Sequence, residues 1–183
     1  MSDLWHATLR HLGEGNFTAL EKLLGGPDGF DKQVIEWHIE GKFDNEPEVF
    51  AEAFTCACML GRVNTAEYFL DNNVDPLAGT GTGLNGFHYA ASSGRLEIIK
   101  LLIARNVPME VENMYGGTVF GRAMWSAVNE WKPDHAAIVE ALVKAGAEVD
   151  DGYRSWWEQQ NVPDAETKRR VADVLRQDQA ENS

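Results

Sequence analysis

The sequence predicts an all-α solenoid, a stack of helix-turn-helix units, and three observations carry that expectation. Residues recur at a spacing of 33: Phe54, Ala57, Gly61, Leu70 and Asn73 are followed by Phe87, Ala90, Gly94, Ile103 and Asn106, and Phe120 and Ala123 continue the series. Each interval holds a short helical segment rich in small residues, a longer apolar one and a glycine-rich turn. One such pair cannot bury its apolar face alone, so the units must stack to make a core. The 183 residues are 44% hydrophobic and 25% charged, enough apolar material for one domain or one short solenoid without disulfides or metal.

Taken in chain order, Asp3 to Leu12 and Phe17 to Leu24 form a first helix pair around Gly13-Glu14-Gly15-Asn16. Gly15, Leu23 and Leu24 lie 46 residues before Gly61, Phe69 and Leu70, so this pair is a degenerate unit. The excess falls in Pro27 to Pro47, where Val34, Ile35, Trp37 and Ile39 suit a short extra helix, with a long hairpin as the alternative. In the central unit Phe87 to Ser93 is a first helix stopped by Gly94, and Leu96 to Ala104 a second, with Leu96, Ile99 and Ile103 on one stripe and Ile98, Leu101 and Leu102 widening it. Asn106 to Gly146 is 40, so the third unit carries about seven extra residues between Trp125 and Ala137, as a longer first helix or a loop over one face. Pro163-Asp164 opens a final helix from Ala165 to about Gln177, with Val171, Val174 and Leu175 towards the last repeat and Lys168, Arg169, Arg170 and Arg176 towards water. Trp156 and Trp157 are expected to anchor this cap, and Asp178 to Ser183 is too polar to be held. The chain divides into an N-terminal helical cap at 1–47, three repeats at 48–150, and a C-terminal capping helix with a polar tail at 151–183.

The central unit reads Gly83-Leu84-Asn85-Gly86-Phe87-His88-Tyr89-Ala90-Ala91-Ser92-Ser93-Gly94 and continues Glu97-Ile98-Ile99-Lys100-Leu101-Leu102. The next reads Gly116-Gly117-Thr118-Val119-Phe120-Gly121-Arg122-Ala123 and later Val139 through Ala145-Gly146-Ala147. This pattern resembles the ankyrin repeat over about Glu48 to Asp150. Where the family has Thr-Pro, this chain has Asn85-Gly86 or Thr118-Val119, and Glu52-Ala53-Phe54-Thr55 lacks the pair, so looser helix starts are expected there. The resemblance implies a non-catalytic protein-binding module that uses hairpin tips and the concave face of the first helices. On the matching positions it implies partner contacts at Thr82, Leu84, Ser92, Ser93, Met114, Tyr115, Trp125 and Ser126. It also implies that the His88 ring hydrogen-bonds the backbone of a neighbouring hairpin.

Charge narrows the partners. Acidic side chains number 29 against 16 basic, a net charge of −13. That surface repels phosphate backbones and anionic membranes, so nucleic acid and membrane are not expected, and a basic protein is favoured. The acids Asp31, Asp44, Glu46, Glu48 and Glu52 cluster around the first clear unit, as a solvated face or a steering surface. No apolar run reaches the ~18 residues of a spanning helix. Met1-Ser2-Asp3-Leu4-Trp5-His6 lacks a basic region ahead of an apolar one, so no signal peptide is expected. Cys56 and Cys58, two residues apart on a helix, point away from each other, which suits buried thiols in a reducing cytoplasm.

The chemistry-bearing motifs are weak. Gly81-Thr82-Gly83-Leu84-Asn85-Gly86 fits the dinucleotide fingerprint, but Asn72 to Ala78 before it is a turn and not a strand, so no cofactor is expected. The five histidines show no metal-ligand spacing, and Ser92-Ser93 have no base nearby in sequence. Aromatics are the stronger signal, with Trp125 at a groove position, Trp131 in the insertion, and Met114 and Tyr115 in the preceding hairpin. Two further readings stand beside the protein-binding one. The first is an acidic inhibitor or immunity-type protein that neutralises a basic toxin or nuclease. The second is a small-molecule site or enzyme built from Tyr115, Arg122, Trp125, Trp131 and His135.

Overall fold

A computed structural model describes residues 3–79 and 81–181. The described residues form eleven helices: α1 (Asp3–Gly13), α2 (Phe17–Leu23), α3 (Pro27–Ile39), α4 (Pro47–Leu60), α5 (Val63–Asp71), α6 (Gly86–Ser92), α7 (Leu96–Ala104), α8 (Val119–Asn129), α9 (His135–Lys144), α10 (Asp151–Gln159) and α11 (Ala165–Glu181). They make two layers. In one, α1, α4, α6 and α8 touch in succession; in the other, α5, α7, α9 and α11 do so, each second helix packing on its own first helix. The expected all-α stack is what the chain adopts.

The recurring residues explain the stacking. Phe54, Phe87 and Phe120 are fully buried at equivalent places, as are Ala57, Ala90 and Ala123. Each phenylalanine contributes about 1.5–3 kcal/mol by leaving water, and each alanine keeps neighbouring first helices close. At Gly86 an added Cβ would stand 2.9 Å from the Cys58 sulfur and 3.0 Å from the Phe54 ring, so glycine is needed for α6 to approach α4. This accounts for one glycine of the fingerprint-like run, and Gly83, with φ of +71°, accounts for another. On α7 the buried stripe is Ile98, Ile99 and Leu102, with Leu96, Leu101 and Ile103 half-buried against it. All six lie on the widened face expected from spacing, but its centre is at Ile98, Ile99 and Leu102 and not at Leu96 and Ile103.

Helix starts are held more firmly than the missing Thr-Pro pairs suggested. Asn85 takes the threonine's part, its Oδ1 accepting from the Phe87 and His88 amides at 3.1 and 3.2 Å. The Thr118 hydroxyl accepts from the Gly121 amide at 3.2 Å. The first unit opens earlier, with Pro47 in the first turn of the fourteen-residue α4. At the second-helix ends Asn73 and Asn106 take the left-handed conformation that Gly146 takes in the third unit, with φ of 61°, 54° and 92°.

The segment between the first pair and the repeats is the helix α3. An aromatic cluster fixes it: Trp5 packs edge-on against Trp37 and Phe43, and His38 stacks on Phe50 at 4.8 Å while its Nδ1 lies 2.8 Å from the Tyr68 hydroxyl. The insertion of the third unit lengthens α8 to eleven residues against seven in α6 and leaves a short linker at 130–134. Lys132 of that linker lies over Gly94, whose φ is +70°.

At the C-terminal end there are two helices where one was expected, α10 preceding α11. The latter continues to Glu181, beyond the expected end, because Arg154 pairs with Asp178 at 2.5 Å. The tail expectation for Asn182 and Ser183 lies outside the described residues. Lys168 does not face water. Its ammonium donates to the carbonyls of Trp157, Glu158 and Gln160, which end α10.

Replacing Gly94 with Val tests the packing of the linker on α6. The left-handed backbone alone costs a β-branched residue about 1–2 kcal/mol, and the new Cβ would stand 2.7 Å from Lys132 Cβ. The expected result is a clear fall in the urea unfolding midpoint.

Candidate binding cleft

The two layers end differently at the C-terminus. In the second-helix layer α11 covers α9, burying Val171 and Leu175. In the first-helix layer α10 meets α8 through Tyr153, which stands edge-on to Phe120 at 5.0 Å. An added Cβ at Gly121 would be 2.4 Å from the Tyr153 hydroxyl, so the absence of a side chain at 121 lets this tyrosine lie against α8. Beside Tyr153 a cleft of about 660 Å³ remains open. Gly121, Arg122 and Trp125 form its α8 wall, Tyr153 and Trp156 its α10 wall, and Tyr115 to Gly117 of the preceding hairpin its rim.

The rim is a built turn. Asn113 Oδ1 accepts from the Tyr115 and Gly117 amides at 2.8 and 3.3 Å, and the Met114 amide donates to the Thr82 carbonyl of the previous hairpin at 3.0 Å. This holds Met114 and Tyr115 in solvent, 64% and 77% exposed. In the α8 wall Trp125 is 42% exposed and carries the Arg122 guanidinium over its ring at 4.7 Å. Arg122 also pairs with Glu130 at 3.4 Å. Asp150 lies on the floor and caps α10 by accepting from the Tyr153 amide at 2.8 Å.

Of the residues singled out in the sequence, Tyr115 and Trp125 share this cleft, and Met114 lies beside it. Thr82 and Leu84 belong to the previous hairpin and are half-buried. Ser93 caps the C-terminus of α6 and is half-buried. Ser92 and Ser126 are corrections: both are buried, Ser126 completely, so neither side chain faces a groove. Ser126 lies inside the lengthened α8, where the count of 33 from Ser93 no longer equates positions. Ser92 lies under the start of α9, its carbonyl facing His135 Nε2 at 3.2 Å.

Of the five residues considered for a small molecule, Tyr115, Arg122 and Trp125 line the cleft and the other two do not. Trp131 turns to α11 and donates to the Thr167 hydroxyl at 3.0 Å, and His135 is fully buried against α6. Trp157 is buried and donates to the Lys168 carbonyl, anchoring the cap, whereas Trp156 lines the cleft. The sequence did not point to Tyr153 and Trp156 as the wall opposite Gly121; an aromatic facing a repeat-position glycine was the available signal. Asp44, Glu46 and Glu48 are exposed and belong to the other end of the stack, with Asp31 and Glu52 half-buried.

The joints beneath the cleft depend on two buried histidines. His88 Nε2 lies 3.2 Å from the Gly117 carbonyl oxygen, and its Nδ1 lies 2.8 Å from Asn85 Oδ1 and 3.4 Å from the Asn85 backbone nitrogen. His135 Nδ1 accepts from the Lys132 amide at 3.0 Å while Nε2 donates to the Ser92 carbonyl. Burial lowers the pKa of both rings below the usual histidine value, and the Arg122 and Lys132 charges act in the same direction. Among the described residues no helix is long and apolar enough to cross a membrane, and Cys56 and Cys58 are buried free thiols.

A profile of ankyrin repeats (three copies) matches residues 11–114 and again 54–152, and the chain belongs to that family. A comparison with curated proteins finds no match. Ankyrin repeats generally mediate protein–protein interaction.

The histidine pair makes stability pH-dependent. Both rings bind a proton less readily in the fold than in the open chain, so their contribution is complete above about pH 6.5 and is lost as pH falls through that value towards the lower folded pKa values. The urea midpoint is expected to drop between pH 7.5 and 5.5. The drop should be smaller in His135→Gln, whose amide cannot protonate.

Proposed function

We propose that the chain is a non-catalytic, cytoplasmic module that binds another protein through the hairpin tips and the first-helix face, with the C-terminal cleft as the principal contact. The observation that carries this is the aromatic group around an open cleft at the last hairpin tip, with Tyr115 and Trp125 exposed and Trp156 half-buried. Large aromatics held partly in solvent by a rigid scaffold are typical anchors of protein interfaces. Three polar side chains of the cleft already serve the fold: Asn113 in the turn, Asp150 in a helix cap, and Arg122 on Trp125 and Glu130. Among the described residues, those that line it are aromatic, glycine, Asn113, Arg122 and Asp150, a lining suited to binding. A narrower second reading, an acidic inhibitor of a basic toxin or nuclease, is supported by the net charge of −13.

Trp125→Ala separates the binding role from a core role. A partly exposed indole under a guanidinium should cost about 1 kcal/mol of stability on removal, and as an interface anchor about 2 kcal/mol or more of partner affinity. Affinity capture from the native cell, quantified for the parent, for Trp125→Ala and for Ile39→Ala at the far end of the stack, measures this. Loss of the partner in Trp125→Ala alone is the expected result. A folded Trp125→Ala protein that captures its partner normally would contradict it.

A further inference from the structure

The cleft continues into a second surface. A broad trough of about 1100 Å³ runs between the hairpin at 110–118, the end of α9 and the start of α10, and Gly116, Asp150 and Tyr153 line both it and the cleft. Its walls carry Glu110, Glu112, Glu148, Asp150, Asp151 and Asp178 against only two cations, Lys144 and Arg154. Both cations are already paired: Lys144 holds Glu140 at 2.7 Å, and Arg154 holds Asp151 at 3.0 Å as well as Asp178. Glu110 accepts from the Glu148 amide at 3.1 Å, which ties the two hairpins together and fixes carboxylates on both sides of the trough.

We infer that cleft and trough form one two-part seat for an extended basic polypeptide segment, in which a single aromatic or large aliphatic side chain enters the cleft and the lysines or arginines beside it lie along the trough. This deepens the protein-binding reading and rests on it. The charge of each part decides the assignment. Inside the cleft the Arg122 guanidinium occupies a face of Trp125, so an incoming cation meets like charge there, whereas an uncharged ring can pack against Trp125, Tyr153 and Trp156. In the trough, carboxylates outnumber cations six to two among the described residues, and a basic segment supplies the opposite charge. The shared residues Gly116, Asp150 and Tyr153 make anchor and charges adjacent, as neighbouring residues of one chain require. Gly116 adds no side chain between the two parts, and a Cβ there would meet open space.

The test uses the full-length protein and a dye-labelled peptide with one Phe followed by four Lys in a Gly/Ser background, read by fluorescence anisotropy. Two control peptides replace Phe by Ser and the four Lys by Glu. The expected result is that either replacement weakens binding about tenfold or more, equivalent to about 1.4 kcal/mol. Glu112→Gln combined with Glu148→Gln should weaken the parent peptide and flatten its salt dependence. Trp156→Ala should weaken it and remove the preference for Phe. Glu46→Gln combined with Glu48→Gln, at the other end of the stack, should change nothing. The charge pair keeps the test decisive should Trp156→Ala disturb α10. Absent binding, binding indifferent to Phe, or binding weakened equally by the Glu46 and Glu48 changes would each overturn the inference. Trp125-dependent capture of the native partner together with any of those results would leave the protein-binding reading standing and remove the basic-segment seat. Failure of that capture would remove the reading itself.

Discussion

No helix pair in this chain can keep its apolar face dry alone, and lateral contact between successive pairs is what every other feature depends on. The core has no centre. It is a row of repeated contacts, Phe54 to Phe87 to Phe120 through the first helices and Phe69 through Leu102 to Leu142 in the second. The energy of each unit therefore depends on its neighbours, as in any quasi-one-dimensional stack. His88 and His135 add polar ties at the same joints, each spanning from one unit to the next through a backbone carbonyl. Such a row must be stopped at both ends, and the two ends are stopped in different ways.

At the N-terminal end aromatic mass does the work, with Trp5, Trp37 and Phe43 closing α3 onto the first pair. At the C-terminal end only one layer is closed. The α11 helix seals α9, while α10 is held by Arg154, Trp157 and Lys168 against α11 and offers α8 little more than Tyr153. The unfilled remainder of that layer is the cleft. Its partly exposed tryptophans are thus a consequence of how the stack terminates: Ser92, at the place corresponding to Trp125 one unit earlier, is buried by the start of α9, whereas Trp125 has no such cover.

The stack itself was legible because its signal is redundant. Spacing, small residues, stops and apolar stripes all recur, and an error at one position is outvoted by the others. The N-terminal pair was legible from a weaker echo of the same pattern, whereas the apolar stretch of α3 suited a helix but left a hairpin open. Features that occur once were not. The role of Lys168 could not be read because a lysine on an amphipathic helix looks solvated until the carbonyls it caps are placed beside it. Ser126 was misplaced because counting by 33 continues through an insertion, while burial follows the longer helix actually formed. Trp125 and Tyr115 were found from repeat register, but Tyr153 and Trp156 come from outside the repeats, where register gives no position.

The central claim is that the two layers close unequally at the C-terminus, leaving α10 joined on one side to α11 but barely to α8, over an open cleft. Amide hydrogen exchange resolved by segment tests this most directly, because exchange reports the free energy of local opening. The account predicts that amides of α11 exchange as slowly as those of α9, and that amides of α10 exchange much faster than those of α6. Protection of α10 equal to that of α6 would contradict it, since the first-helix layer would then be closed and no open cleft would exist for a partner to enter.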